Sequence, residues 1–145
     1  MPTWVTEGYK EYAKRLNQDC QLILLEIDSG RRSKKQTAAE NLQEDAKLIL
    51  KAIPKGSHVV VLDVKGKQFS TETLANRMEH WLQTGKDVTM VIGGADGIDE
   101  SILQLADEKW SLSLLTFPHP LARVIVAEQL YRAWSYINNH PYHRE

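Results

Sequence analysis

From Val5 onward, apolar and aromatic side chains recur at Tyr9, Tyr12, Ala13 and Leu16, the spacing of one helix face, and Asn17-Gln-Asp19 ends the pattern. Gln21 to Ile27 is a short apolar run whose length and polar flanks predict a strand. Thr37-Ala-Ala-Glu40 is a capping box, opening a helix that turns Leu42, Ala46, Ile49 and Ile53 inward and stops at Pro54. His58-Val-Val-Val-Leu-Asp63 has the β-branched run of a strand covered on both faces, with Gly66 at the next turn. Ser70 is the expected N-cap of a further helix, with Phe69 and Leu74 as its hydrophobic staple. Leu74, Met78 and Trp81 form its buried stripe, and Gly85 its C-terminal cap. A strand over Val88 to Ile92 runs directly into Gly93-Gly-Ala-Asp-Gly97. Ile98, Ile102 and Leu105 then trace a helix, Leu112 to Leu115 the last strand, and Pro120 the first position of a final helix. An initial helix followed by four strand–helix pairs predicts an α/β fold in one domain spanning residues 1–145, a mostly parallel sheet with helices on both faces. Ligands bind such sheets outside the carboxyl ends of the strands, here Leu62-Asp63, Gly93-Gly94 and Thr116-Phe117.

Composition narrows the class. The chain of 145 residues is 42% hydrophobic and 26% charged, ordinary for a globular domain. No apolar run is long enough to span a membrane and no signal-peptide pattern opens the chain. The single Cys20 excludes an intramolecular disulfide and fits a reducing, cytoplasmic setting; no metal-ligand spacing is present. With a net charge of −1, any contact with nucleic acid must come from local patches, of which Arg31-Arg-Ser-Lys-Lys35 is the densest.

Four features carry candidate chemistry. Gly93 to Gly97 joins strand to helix but lacks both a P-loop Lys and a dinucleotide fingerprint; a turn with positive φ and a ligand-approach loop fit it equally. His119 lies between two prolines at a helix start, a position that disfavours a charged imidazole. It fits a neutral catalytic histidine or a simple helix seal. On the final helix Ala133, Val126, Ile137, Leu130, Trp134, Ala127, Tyr131 and Val124 cover one half, and Arg123 falls within it. A guanidinium there needs an anion, so Arg123 is expected to close a cofactor or substrate pocket. Leu121, Ile125 and Tyr136 interrupt the polar side around Glu128, Gln129 and Arg132, which predicts a second packing partner and a two-fold homodimer. The tail Asn138 to Glu145 holds two His, a Tyr and an Arg, groups able to grip phosphate, stack on a base and move a proton.

Val91-Ile-Gly-Gly-Ala-Asp-Gly97, Trp110-Ser-Leu-Ser-Leu-Leu-Thr-Phe-Pro-His-Pro-Leu-Ala-Arg-Val124, Ala127-Glu-Gln-Leu-Tyr-Arg-Ala-Trp-Ser135 and Asn139-His-Pro-Tyr-His-Arg-Glu145 closely resemble the RlmH family of SPOUT methyltransferases. The likeness runs the whole length and includes Pro2-x-Trp-Val and Glu11-Tyr12. It implies a C-terminal trefoil knot, which general topology rules would not have predicted. It also implies S-adenosylmethionine as cofactor, with no metal, at Leu62, Gly93, Leu112, Ser113, Leu114, Leu115, Thr116 and Phe117. The implied substrate is a pseudouridine in the helix 69 loop of 23S rRNA, methylated at N3 within the assembled 70S ribosome. The implied enzyme is a cytoplasmic homodimer in which one subunit's tail completes the other's site. Family members carry a further stretch ahead of Met1-Pro2 that forms a first β-strand; without it an apolar flank of the sheet is expected to be uncovered.

Direct methyl transfer asks the protein to position two reactants and manage one proton. N3 of pseudouridine is protonated at neutral pH, so a base is expected, from His119, His143 or Tyr142. Arg132, Arg144 and Arg123 are candidates for stabilising charge on the flanking carbonyls or for holding phosphate. The competing reading is a non-catalytic ribosome- or RNA-binding factor on the same fold, which would bind no S-adenosylmethionine.

Overall fold

The computed structural model describes residues 2–16, 20–27, 37–93 and 97–144. In chain order its elements are helices α1 (Thr3–Ala13) and α2 (Ala38–Ala52), strand β1 (His58–Lys67), helix α3 (Thr71–Thr84), strand β2 (Val88–Ile92), helix α4 (Glu100–Leu105), strand β3 (Glu108–Trp110) and helix α5 (His119–Ile137). A 3₁₀ turn, Pro141–Arg144, follows.

The sheet is parallel, in the order β2-β1-β3. β1 is central, and its alternating side chains build two cores. Val60 packs with Met78, Trp81, Trp110, Val126 and Leu130 on the side of α3 and α5. Val59 and Val61 face the other way, onto Ala46 and Ile102 of α2 and α4. The β-branched run is therefore buried on both faces, as its composition predicts. Trp110 ties the larger core together, stacked 5.6 Å from Trp81 and edge-on 4.8 Å from Phe69.

Local signals set most helix ends. Thr37 Oγ1 accepts from Glu40 N at 3.1 Å; the Glu40 carboxylate takes the Thr37 hydroxyl rather than a backbone amide. Ser70 Oγ accepts from Thr73 N, and Gly85 closes α3 at φ 68° in the left-handed region. α4 starts at an Asp99 cap, two residues after the apolar pattern begins. α5 starts at His119 behind a Pro118 cap, so Pro120 occupies its second position rather than its first.

Three expectations fail. Gln21 to Ile27 is not a strand; no ladder joins it to the sheet, and Ile23 and Leu25 are exposed. An apolar run becomes a strand only where a neighbour accepts its backbone hydrogen bonds. The last strand is Glu108–Trp110 instead of Leu112 to Leu115. There the side chains of Ser111 and Ser113 bond locally, Ser111 Oγ donating to Ser113 O and Ser113 Oγ accepting from Leu115 N, which offers the backbone an alternative to pairing. Gly66 is not a turn but a close crossing: a Cβ there would stand 2.6 Å from the Lys109 carbonyl carbon.

At the amino end of the sheet, Glu108 binds three partners. His58 Nε2 meets its Oε2 at 2.5 Å, Trp110 Nε1 donates to Oε1 at 3.2 Å, and Arg77 pairs with Oε1. Burial pushes the Glu108 carboxyl up, but these partners outweigh it and hold its pKa below the usual value.

Candidate active site

Because all three strands run the same way, their carboxyl ends share one edge, and a cavity of about 250 Å³ opens there. Leu62, Asp63 and Val64 enter from β1, Ile92 and Gly93 from the end of β2, and Leu112 to Phe117 from the loop after β3. Leu62, Gly93, Leu112, Ser113, Leu115, Thr116 and Phe117 all line it; Leu114 does not, standing 78% exposed beside Leu115 on the outside of the loop. At Gly93 a Cβ would lie 2.6 Å from Ile98 Cγ1 and 2.9 Å from the Gly97 carbonyl oxygen, so only glycine lets the loop fold back there. Gly97 itself has φ 88°, which supplies the positive-φ turn. The middle of this loop, and the basic loop Arg31 to Lys35, lie outside the described residues.

A second cavity of about 240 Å³ adjoins the first through Leu62, Leu112 and Phe117 and runs between the sheet and α5, past Phe69, Ile125 and Gln129. Together they form an apolar slot with the Asp63 carboxylate at its mouth. That donor set suits an adenosyl group carrying a cationic sulfonium: apolar walls for the ring, an acid for the charge and a glycine where the backbone must come close. His119, the first residue of α5, also lines the strand-end cavity and is exposed to solvent there.

The remaining candidates sit elsewhere. Arg132 lies thirteen residues further along α5, about 20 Å down the axis at 1.5 Å per residue. The tail folds against that distal end. Asn139, at φ 57°, reverses the chain, and His140 N bonds Ser135 O at 2.8 Å. Tyr142 packs 4.7 Å from Tyr131, and its hydroxyl donates to Glu128 Oε1 at 2.9 Å. Arg132 donates to the same oxygen through Nε and Nη2, at 3.0 and 2.7 Å. Burial raises the Tyr142 phenol pKa and the Glu128 carboxylate raises it further, which opposes a phenolate base. His143 lies edge-on to Tyr136, and its buried Nδ1 has no hydrogen-bond partner among the described residues. Arg144 closes the 3₁₀ turn.

Within one chain, then, His119 and the cofactor-type residues gather at one end of α5, while Arg132, Tyr142 and His143 gather at the other. Arg123 belongs to neither group. Its guanidinium finds an anion in Glu26, Nη1 donating to Oε1 at 2.7 Å, so it ties α5 to the segment after α1 and lines neither of these two cavities. Two residues of these regions stand out only in the structure. In the sequence Asp63 reads as a strand end and Glu128 as part of a polar side, although its i,i+4 spacing to Arg132 is a recognisable pairing signal.

The family described as "predicted SPOUT methyltransferase" matches residues 1–143. The chain is 52% identical over 145 residues to the ribosomal RNA large subunit methyltransferase H of Hydrogenovibrio crunogenus, covering 100% of this chain and 93% of that protein. To its namesake from Methylococcus capsulatus it is 51% identical over 144 residues, 99% of this chain and 93% of the relative. The resemblance drawn from the C-terminal motifs thus extends from end to end: the chain belongs to the SPOUT methyltransferase family.

Proposed function

We propose that this protein is a cytoplasmic, S-adenosylmethionine-dependent methyltransferase of large-subunit ribosomal RNA. Its target in this reading is N3 of a pseudouridine in the helix 69 loop of 23S rRNA, in the assembled 70S ribosome. It works as a homodimer, with the knot of its family between β3 and α5 shaping the cofactor loop. The observation that carries the reading is the strand-end cavity: most of the residues that the resemblance implies for the cofactor converge on the edge where a parallel sheet binds ligands. The names of the two relatives supply the class of RNA.

S-adenosylmethionine supplies an electrophilic methyl group when bound. Leu62, Leu112 and Phe117 would exclude water around it, and Asp63 would offset its positive charge. His119 stands at the cavity wall, where it can take the N3 proton; His143, with its uncommitted Nδ1, is the second candidate. Tyr142 contributes a stacking face. Arg132 and Arg144 balance charge on the base carbonyls or hold phosphate. His119 and Arg132 stand about 20 Å apart along one helix, and in this reading the tail that meets each strand-end cavity belongs to a second copy. The partly buried Leu121 and the exposed Tyr136, on the polar side of α5, supply apolar contact for such a dimer.

The test is radiolabelled methyl transfer to ribosomes with and without the target pseudouridine. Incorporation only when the pseudouridine is present is expected; equal incorporation into both overturns the assigned base. With a net charge of −1, the protein lacks the field to hold naked RNA, so isolated 23S RNA should be a poor substrate.

A further inference from the structure

Glu128 is the most heavily used carboxylate at the distal end of α5. Its side chain is 17% exposed. Oε1 accepts from Arg132 Nε, from Arg132 Nη2 and from the Tyr142 hydroxyl, while Oε2 accepts from Gln129 Nε2 at 2.6 Å. Four donor groups thus converge on this one carboxylate, three of them on Oε1. A Glu four residues ahead of an Arg on a helix is commonly a modest surface pair. The Tyr142 bond is different in kind: it spans fourteen residues and fastens the tail to the helix.

The surroundings hold the same two side chains from other directions. The Arg132 guanidinium lies over the Tyr142 ring at 5.0 Å. Arg15 of α1 lies over the same ring at 5.9 Å and over Tyr12 and Tyr131 at 5.5 Å. These ring contacts are broad and tolerate rotation of the phenol. The hydroxyl proton goes to Glu128, and Tyr12 is a second hydrogen-bond partner of the Tyr142 phenol.

We infer that Glu128 is a positioning residue of the methylation site, one carboxylate that sets both Arg132 and Tyr142 in the arrangement in which they meet the substrate. This rests on the reading of Arg132 and Tyr142 as substrate-handling residues given under Proposed function. In consequence Tyr142 serves the substrate as an acceptor and stacking face, and the N3 proton goes to a histidine.

The experiment compares Glu128→Ala, Glu128→Gln, Arg132→Ala, Tyr142→Phe and the double variant Glu128→Ala/Tyr142→Phe in the full-length protein. It measures single-turnover methylation of 70S ribosomes at saturating ribosome, and S-adenosylmethionine binding by calorimetry. Glu128→Ala should slow methylation on the order of 10- to 100-fold, the worth of a charge-assisted bond, with cofactor affinity unchanged. Glu128→Gln should fall between Ala and wild type, because its amide oxygen still accepts from both partners. The double variant should be far less slow than the product of its singles, as expected of groups acting as one unit. In Glu128→Ala the Tyr142 phenol, followed by ultraviolet absorbance against Tyr142→Phe, should ionise at lower pH than in wild type. If Arg132→Ala and Tyr142→Phe are slow but Glu128→Ala runs at the wild-type rate, the inference is wrong and the functional reading stands. Lost cofactor binding in both Glu128 variants, or fully multiplicative singles, also overturns it. If Arg132→Ala and Tyr142→Phe themselves run at the wild-type rate, the functional reading of the tail fails and takes the inference with it.

Discussion

The two ends of α5 are built on opposite principles. At the His119 end the walls are apolar, a loop projects Leu114 and Leu115 into solvent, and Asp63 stands at the mouth of a cavity. At the Arg132 end a carboxylate, a guanidinium, a phenol and an aromatic cluster bind one another. The first end is shaped to receive a ligand and the second to present fixed groups to something outside. About 20 Å of helix separates His119 from Arg132, and the proposed dimer brings the two ends of different chains together.

The largest effect should come from filling the receiving end. Gly93→Val places side-chain atoms against Ile98 and the Gly97 carbonyl, and calorimetry should find S-adenosylmethionine binding lost by 100-fold or more, in the range of about 3 kcal/mol. Tight binding by this variant would mean the cofactor sits elsewhere. At the presenting end, Arg132→Ala should slow methylation of ribosomes on the order of 100-fold while calorimetry shows normal cofactor affinity. A parallel loss of cofactor binding would erase the distinction between the two ends.

The Glu108 network, remote from both ends, should affect stability alone. Its folded-state pKa lies below the usual 4.5, so its contribution is fully present above that value and is lost as pH falls through the lower folded value. Glu108→Gln should therefore melt earlier than wild type at neutral pH, by about 1–2 kcal/mol, with the gap closing in acid. A gap that persists unchanged in strong acid would show that the carboxylate's charge is not what matters. The smallest effect is Ser70→Ala, which removes the α3 cap and should cost about 1 kcal/mol in denaturant unfolding without changing methylation.

What could be foreseen from sequence divides along physical lines. Thr37, Ser70 and Gly85 act on amides within a turn of themselves, and each caps where its neighbours said it would. The Val59-Val60-Val61 run needs only a sheet with two covered faces, and composition reveals that. Gln21 to Ile27 and Leu112 to Leu115 failed because strand formation depends on a distant partner that a local pattern does not name. Arg123 failed for a related reason: the need for an anion was legible, but the acceptor proved to be Glu26, 97 residues away. The cavity residues were reachable through the resemblance and the strand-end rule together. That the tail packs near Arg132, away from His119 on α5, was not, because spacing along a chain carries no distance across it.

The most direct measurement is complementation between the two ends. Thr116→Arg, which blocks the cavity, and Arg132→Ala, which strips the presenting surface, are each inactive alone on this account. Co-expressed in equal amounts, random pairing yields one intact composite site in each mixed dimer, so labelled methyl transfer to ribosomes should recover to about a quarter of the wild-type level. Recovery to that level supports a cavity completed by the second chain's tail; a mixed population as inactive as either parent contradicts it.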